Sequence, residues 1–237
     1  FDNTEQLISL FRAYQNNPAE MDWLAQEYET RVCLNAIYGW SEVLMMGLVG
    51  EVTLNQQDVF TEIKVHIVYL VNQMNNLLNY ERCRQNLPML ILAGNPLTAL
   101  TDHYPPGIDH YRQNFTLDVR YEGDITQNFA CTDALILTLD LLLDNIVRHA
   151  RAAHVTLQIH NVDGKLRVQL EDNGMGVLLS DHPDRVFEPF FQVDIHAGGL
   201  GLGLYLAQQH IASHHGTMRM QTAPGAGTTI MMTIPLL

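Results

Sequence analysis

Glu171-Asp172-Asn173-Gly174-Met175-Gly176 closes an alternating apolar run with a carboxylate and two glycines. The alternation predicts a strand over Leu166–Glu171, with a turn immediately after it. An Asp at such a strand end can be buried and can accept from the exocyclic amine of a purine. Two glycines one residue apart let backbone approach a planar ligand closely. A plain strand-to-loop turn uses the same residues, so the stretch points to a ligand only together with other elements.

Two such elements flank it. Downstream, Gly198-Gly199-Leu200-Gly201-Leu202-Gly203-Leu204 leads into a predicted helix, Leu200–Ser213. Glycine-rich turns that open helices present free N–H groups and a positive dipole end to phosphate, although glycines also serve close packing. Upstream, an apolar run predicts a helix over Cys131–Ala152 that carries Asp144-Asn145-Ile146-Val147-Arg148-His149. Asn145 and Arg148, three apart, share a face of an α-helix. Asn is a suitable oxygen ligand for Mg²⁺, and Arg can pair with phosphate; the polar side of a core helix is the plainer reading. Further strands are predicted over Phe115–Tyr121, Val155–His160, Met218–Gln221 and Thr228–Ile234. These elements make a mixed sheet covered on one face by helices.

Taken in order, Asn145, Asp172 to Gly176, Phe187-Glu188-Pro189-Phe190-Phe191, the 199–203 glycines and Gly225-Ala226-Gly227-Thr228 resemble the N, G1, F, G2 and G3 boxes of histidine kinase ATPase domains. The resemblance implies the Bergerat-type α/β sandwich, binding ATP and Mg²⁺ under a lid of roughly 178–198. It implies that Asn145 holds Mg²⁺, Asp172 reads adenine, and Gly174, Gly176, Gly199, Gly201 and Gly203 shape the pocket. Arg148, His149, Phe187, Leu200, Leu202 and Thr228 complete the implied nucleotide-binding set. Leu141 replaces a frequent Asn one turn before Asn145, a minor departure.

The preceding part of the chain reads as helical. Asp2–Tyr14 predicts a short upstream helix in a linker, 1–17. Asn17-Pro18-Ala19-Glu20 is a good helix start, and a helix runs from there to about Met46, before Gly47 and Gly50. A second is predicted over Asn55–Arg84. Leu34, Ile37, Ser41, Leu44 and Leu48 follow 3,4 spacing, as do Phe60, Ile63, Ile67, Leu70, Met74 and Leu77. Two such helices form a hairpin, 18–86, and a lone hairpin buries too little surface. Pairing of two copies into a dimeric four-helix bundle is expected. Asn86-Leu87-Pro88 predicts a hinge to the ATP-binding domain, 87–237.

Tyr28-Glu29-Thr30-Arg31-Val32-Cys33-Leu34-Asn35-Ala36-Ile37 resembles the phosphoacceptor segment of the same kinases, usually His-Glu-x-Arg-Thr-Pro-Leu-Asn-Ala-Ile. Tyr28 stands in the place of the accepting His. A neutral imidazole is nucleophilic at pH 7, whereas a phenol with pKa about 10 must first lose its proton. Glu29, with an ordinary pKa of about 4.3, is a poor base for that proton. In the family, the residue at position 32 helps orient a water for dephosphorylation of the partner; Val32 offers no donor or acceptor. Cys33 removes the kinking proline. Relay through position 28 is therefore expected to be lost or strongly reduced. His66, beside the Ile63/Ile67 seam, reads as a partly buried structural histidine.

What the resemblance implies is a pseudo-histidine kinase of two-component signalling: a homodimer acting on a response regulator or another histidine kinase through conformation and contact. An active kinase with an atypical acceptor or a partner's histidine is one alternative; a nucleotide-independent docking scaffold is another. The chain's 26 acidic against 13 basic residues, net charge -13, argue against nucleic acid or an anionic membrane as partner. Three scattered cysteines suggest neither a disulfide framework nor a zinc site, and fit a reducing cytoplasm. No apolar run of membrane-spanning length occurs in this fragment. A start at Phe1 leaves room for an upstream sensor or membrane segment.

Overall fold

A computed structural model of the chain describes residues 18–86, 115–122, 132–178, 183–193 and 198–235, without the side chains of 18–28, 121–122, 132–134, 136 and 183. The expected upstream helix, most of the hinge and parts of the lid lie outside the described residues. Two compact units emerge, Phe1–Met74 and Asn75–Leu237.

Helix α1 spans Pro18–Met45 and helix α2 spans Leu54–Arg84. Gly47, at φ 70, ends α1 in the left-handed conformation that a Cβ disfavours, and Leu48 N–H closes back on Val43 C=O. Helix α2 opens at Thr53-x-x-Gln56 with half of a capping box, in which the Gln56 side chain reaches back to Thr53. The Gln56 side chain accepts from Thr53 N–H at 2.9 Å, and Thr53 C=O accepts from Gln56 N–H. Arg82 and Arg84 sit in its last turn, where the helix dipole favours cations.

Within the first unit, Leu34, Ser41 and Ile67 are buried, and Ser41 Oγ donates to Ile37 C=O. Glu42 pairs with Lys64 across the hairpin, and the Lys64 ammonium also lies 5.1 Å from the Tyr38 ring centroid. Leu44, Phe60, Ile63 and Met74 are partly buried, and three seam positions face outward. Ile37 is 49% exposed, Leu70 47% and Leu48 71%. His66 is exposed, 3.9 Å from Glu62, contrary to the expected partial burial: it points out of the hairpin beside the seam.

In the second unit, β1 (Thr116–Glu122), β2 (His154–Val162), β3 (Lys165–Asp172), β4 (Thr217–Thr222) and β5 (Thr228–Pro235) form one sheet in the order β1-β2-β3-β5-β4. β1 and β2 are parallel and every other pair is antiparallel. Asp163 and Gly164, both at positive φ, make the two-residue turn between β2 and β3. Alternation buries Val155, Leu157, Ile159, Leu166, Val168, Leu170, Ile230, Met232 and Ile234 on one face.

Helices α3 (Thr132–Asn145) and α4 (Gly203–Ser213) cover that face with Leu135, Leu139, Leu142, Leu206 and Ile211, all at most 2% exposed. The last turns of α2 pack on the same core through Leu77, Tyr80 and Cys83. Between α3 and β2 the chain widens into a π-helix, Ile146–Ala150, where a single α-helix to Ala152 was expected. A π-turn needs a fifth residue per hydrogen-bonded ring, so residues three apart no longer stack as they do in an α-helix. Helix α4 begins at Gly203, three residues later than expected, because Gly198, Gly199 and Gly201 all take positive φ. No helix among the described residues is long and apolar enough to cross a membrane.

Candidate nucleotide-binding site

The sheet delivers Asp172 to the end of β3 with only 4% of its surface exposed. One carboxylate oxygen accepts from Gly174 N–H at 2.8 Å, and Thr228 N–H bonds the same side chain. Burial nevertheless outweighs these bonds and pushes the carboxyl above its usual range. Asn173, which carried no assigned role in the sequence, ties the turn to β2. Its side-chain oxygen accepts from Ala153 and His154 N–H at 2.9 and 2.8 Å. A side-chain amide satisfying two consecutive backbone donors 20 residues upstream has no periodic signature.

The glycines are explained by close approach. A Cβ on Gly174 would strike Ala150 C=O, which accepts from Met175 N–H at 2.8 Å. One on Gly176 would meet Ala223 C=O, and one on Gly227 would be driven into Asp172 C=O. Gly225 N–H donates to Met175 C=O at 2.7 Å. The loop after β3 is thus laid directly over the β4–β5 turn. On the other side, a Cβ on Gly203 would stand 3.0 Å from Asn145 Nδ2 and 3.2 Å from its Oδ1. Asn145 therefore abuts the glycine turn before α4. Ala150, at the end of the π-helix, abuts the turn after Asp172. One short segment brings both together.

Other expected site residues fall differently. Arg148 Nε donates to both carboxylate oxygens of Asp144, at 2.7 and 2.8 Å, so part of its guanidinium is engaged within its own helix. His149 is half-buried on the same π-turn. Leu202 is 1% exposed and belongs to the hydrophobic core, whereas Leu200 is 36% exposed. Gly199 and Gly201 are held by the 187–192 segment: Gln192 Nε2 donates to Gly199 C=O and Phe190 N–H to Gly201 C=O. Phe187 packs against the core. Phe190, at φ 64, stacks edge-on to Tyr80 with centroids 4.9 Å apart. Asp140, one turn before Asp144, is raised to about 7 by burial. Among the described residues no cluster of three or more His, Cys, Asp or Glu is placed to hold a metal ion.

Residues 131–237 match the family described as histidine kinase-, DNA gyrase B-, and HSP90-like ATPase. This part of the chain is an ATPase domain of the histidine kinase type. The chain is 30% identical over 188 residues to the alginate biosynthesis sensor protein KinB of Pseudomonas aeruginosa, covering 76% of this chain and 31% of that one. It is 26% identical over 221 residues to histidine protein kinase DivJ of Caulobacter vibrioides, covering 89% and 36% respectively. It thus spans about a third of the length of such relatives.

Among solved structures, full-length ShkA in complex with AMPPNP superposes with a TM-score of 0.61 at 21% identity, covering 91% of this chain and 45% of that one. The histidine kinase AdeS of Acinetobacter baumannii gives 0.54 at 16%, covering 88% and 98%. At those identities the likeness is one of fold. The mixed sheet with its helical layer fits the Bergerat-type ATPase fold.

Proposed function

We propose that the chain is a two-component signalling module that binds ATP with Mg²⁺ and acts by conformation and partner contact, without phosphorylating itself at position 28. The observation that supports nucleotide binding most is the short segment from Asn145 to Ala150, which meets Gly203 at one end and the turn after Asp172 at the other. Asn145 supplies one neutral oxygen, and among the described residues no carboxylate cluster accompanies it. A Mg²⁺ ion there takes its other ligands from phosphates and water, the coordination this ion favours. Asp172, Gly174, Gly176 and Thr228 form the purine end. Gly199, Leu200, Gly201 and Gly203 offer backbone to the phosphates, and Arg148 and His149 stand on the neighbouring π-turn.

The exposed seam positions of the hairpin support a homodimer. Ile37 and Leu70 are apolar, half-exposed and spaced as bundle residues. A response regulator or a second histidine kinase is the proposed partner, in the cytoplasm. Bound nucleotide would act by favouring one of two arrangements of the chain.

The test is labelling with [γ-³²P]ATP of the full chain and of Tyr28→His. The parent is expected to remain free of acid-labile, base-stable phosphate. The Tyr28→His protein is expected to acquire it if the ATPase domain is competent. Such label on the parent would overturn the proposal. One observation favours a second reading, an active kinase with another acceptor: His66 presents an exposed imidazole on α2. Label on the parent that disappears in His66→Gln would establish that reading instead.

A further inference from the structure

Thr222, the last residue of β4, has no role in the nucleotide set, yet three groups converge on its hydroxyl. Val177 N–H donates to Oγ1 at 3.0 Å. The hydroxyl donates to Gly227 C=O at 3.0 Å. Thr228 Oγ1 lies 3.1 Å away. A threonine hydroxyl has one proton and two acceptor positions. Its proton goes to Gly227, because a carbonyl can only accept. One acceptor position takes Val177 N–H. The second is then left for Thr228, which must donate its own proton. With that proton engaged, Thr228 Oγ1 can only accept from anything else.

The sheet register makes this consequential. Asp172 pairs with Thr228 and Thr228 pairs with Thr222. Cross-strand partners project on the same face, so the three side chains form one row across the end of the sheet. An ionised Asp172 also accepts only.

We propose that Thr222 is a positioning residue that fixes the Thr228 hydroxyl as an acceptor. The row then selects a purine with an amino group at C6 over one with a carbonyl there. This rests on the nucleotide reading above. A C6 amine donates to such a row at that position, while a C6 carbonyl placed there faces acceptors and carries its proton one atom away, on N1. Thr222 also holds the 173–177 loop to the β4–β5 turn, so a purely structural role is the competing account.

The experiment measures dissociation constants of ATP and of inosine triphosphate, each with Mg²⁺, on the full chain by calorimetry. Inosine triphosphate carries a carbonyl at C6 where ATP carries the amine. Thr222→Ser keeps the hydroxyl and is expected to keep the parent's preference for ATP. Thr222→Val removes it and is expected to narrow that preference by roughly tenfold, the scale of one hydrogen bond. Thr228→Val leaves the bonds of Thr222 to Val177 and Gly227 in place and is expected to narrow it similarly. It serves also if Thr222→Val fails to fold. Equal weakening of both nucleotides in the valine variants, with the ratio unchanged, would overturn the inference while leaving nucleotide binding intact. A parent chain that binds neither nucleotide would sink the nucleotide reading, and this inference with it.

Discussion

The two units differ in how far each completes its own core. In the second unit, alternating strands and two helices close around a continuous set of side chains, a dozen of them with under 2% of their surface exposed. In the first unit the hairpin leaves three apolar seam positions, Ile37, Leu48 and Leu70, exposed to water. A sheet with helices across one face can bury that face within one chain. A two-helix hairpin can bury only the side turned toward its partner helix. The contrast separates a part that closes its own core from a part that leaves apolar seam positions exposed.

The comparison is sharpened most by Gly227→Ala. A Cβ there would enter Asp172 C=O, and the residue sits at φ 74. A loss of at least about 4 kcal/mol in the second unit is expected, seen as a melting midpoint lower by roughly 10 °C and as lost ATP affinity. Gly225→Ala is the control. It has open space around its Cβ and costs only the positive φ, about 1 kcal/mol. Equal effects of the two substitutions would deny that the turn is built by close approach.

The next effect belongs to the first unit. Ile37→Glu together with Leu70→Glu is expected to weaken self-association by roughly a hundredfold, since each places a charge where an apolar contact is required. Sedimentation equilibrium measures this, while ATP binding by the second unit stays as in the parent. An unchanged dimer constant, or a parent that is monomeric throughout, would break the comparison.

The smallest effect returns to the second unit. Burial raises Asp140 to about 7, so the folded carboxyl keeps a proton that the unfolded chain releases near pH 4. Its contribution to stability is full below that unfolded value and is lost as pH rises through about 7. Asp140→Asn is therefore expected to stabilise by about 2 kcal/mol at pH 8 and by much less at pH 4. A gain independent of pH in chemical denaturation would show that the carboxyl is not held protonated.

Much of this was readable residue by residue. The strand ending in Asp172, the two glycine turns and the Asn145 helix are local patterns, and each was visible because one residue type can serve one backbone need. The π-turn was not, because Ile146 to Ala150 has the composition of an ordinary helix end. The Arg148–Asp144 pair satisfies the common four-residue spacing but competes with a phosphate role that the same residue type suggests equally well. His66 is exposed although it adjoins the seam, because adjacency in sequence says little about which way a helix is turned.

The sequence by itself determined the order of elements and the kinship of the ATPase domain. These depend on residue type and spacing along one stretch of chain. Only the tertiary structure decided that Thr222 touches Val177, Gly227 and Thr228, and that Asn145 and Ala150 reach separate turns. Those contacts join residues up to 58 positions apart, as Gly203 is from Asn145. Chain distance carries no record of them, because sheet register and helix packing, not local propensity, bring their atoms within bonding range.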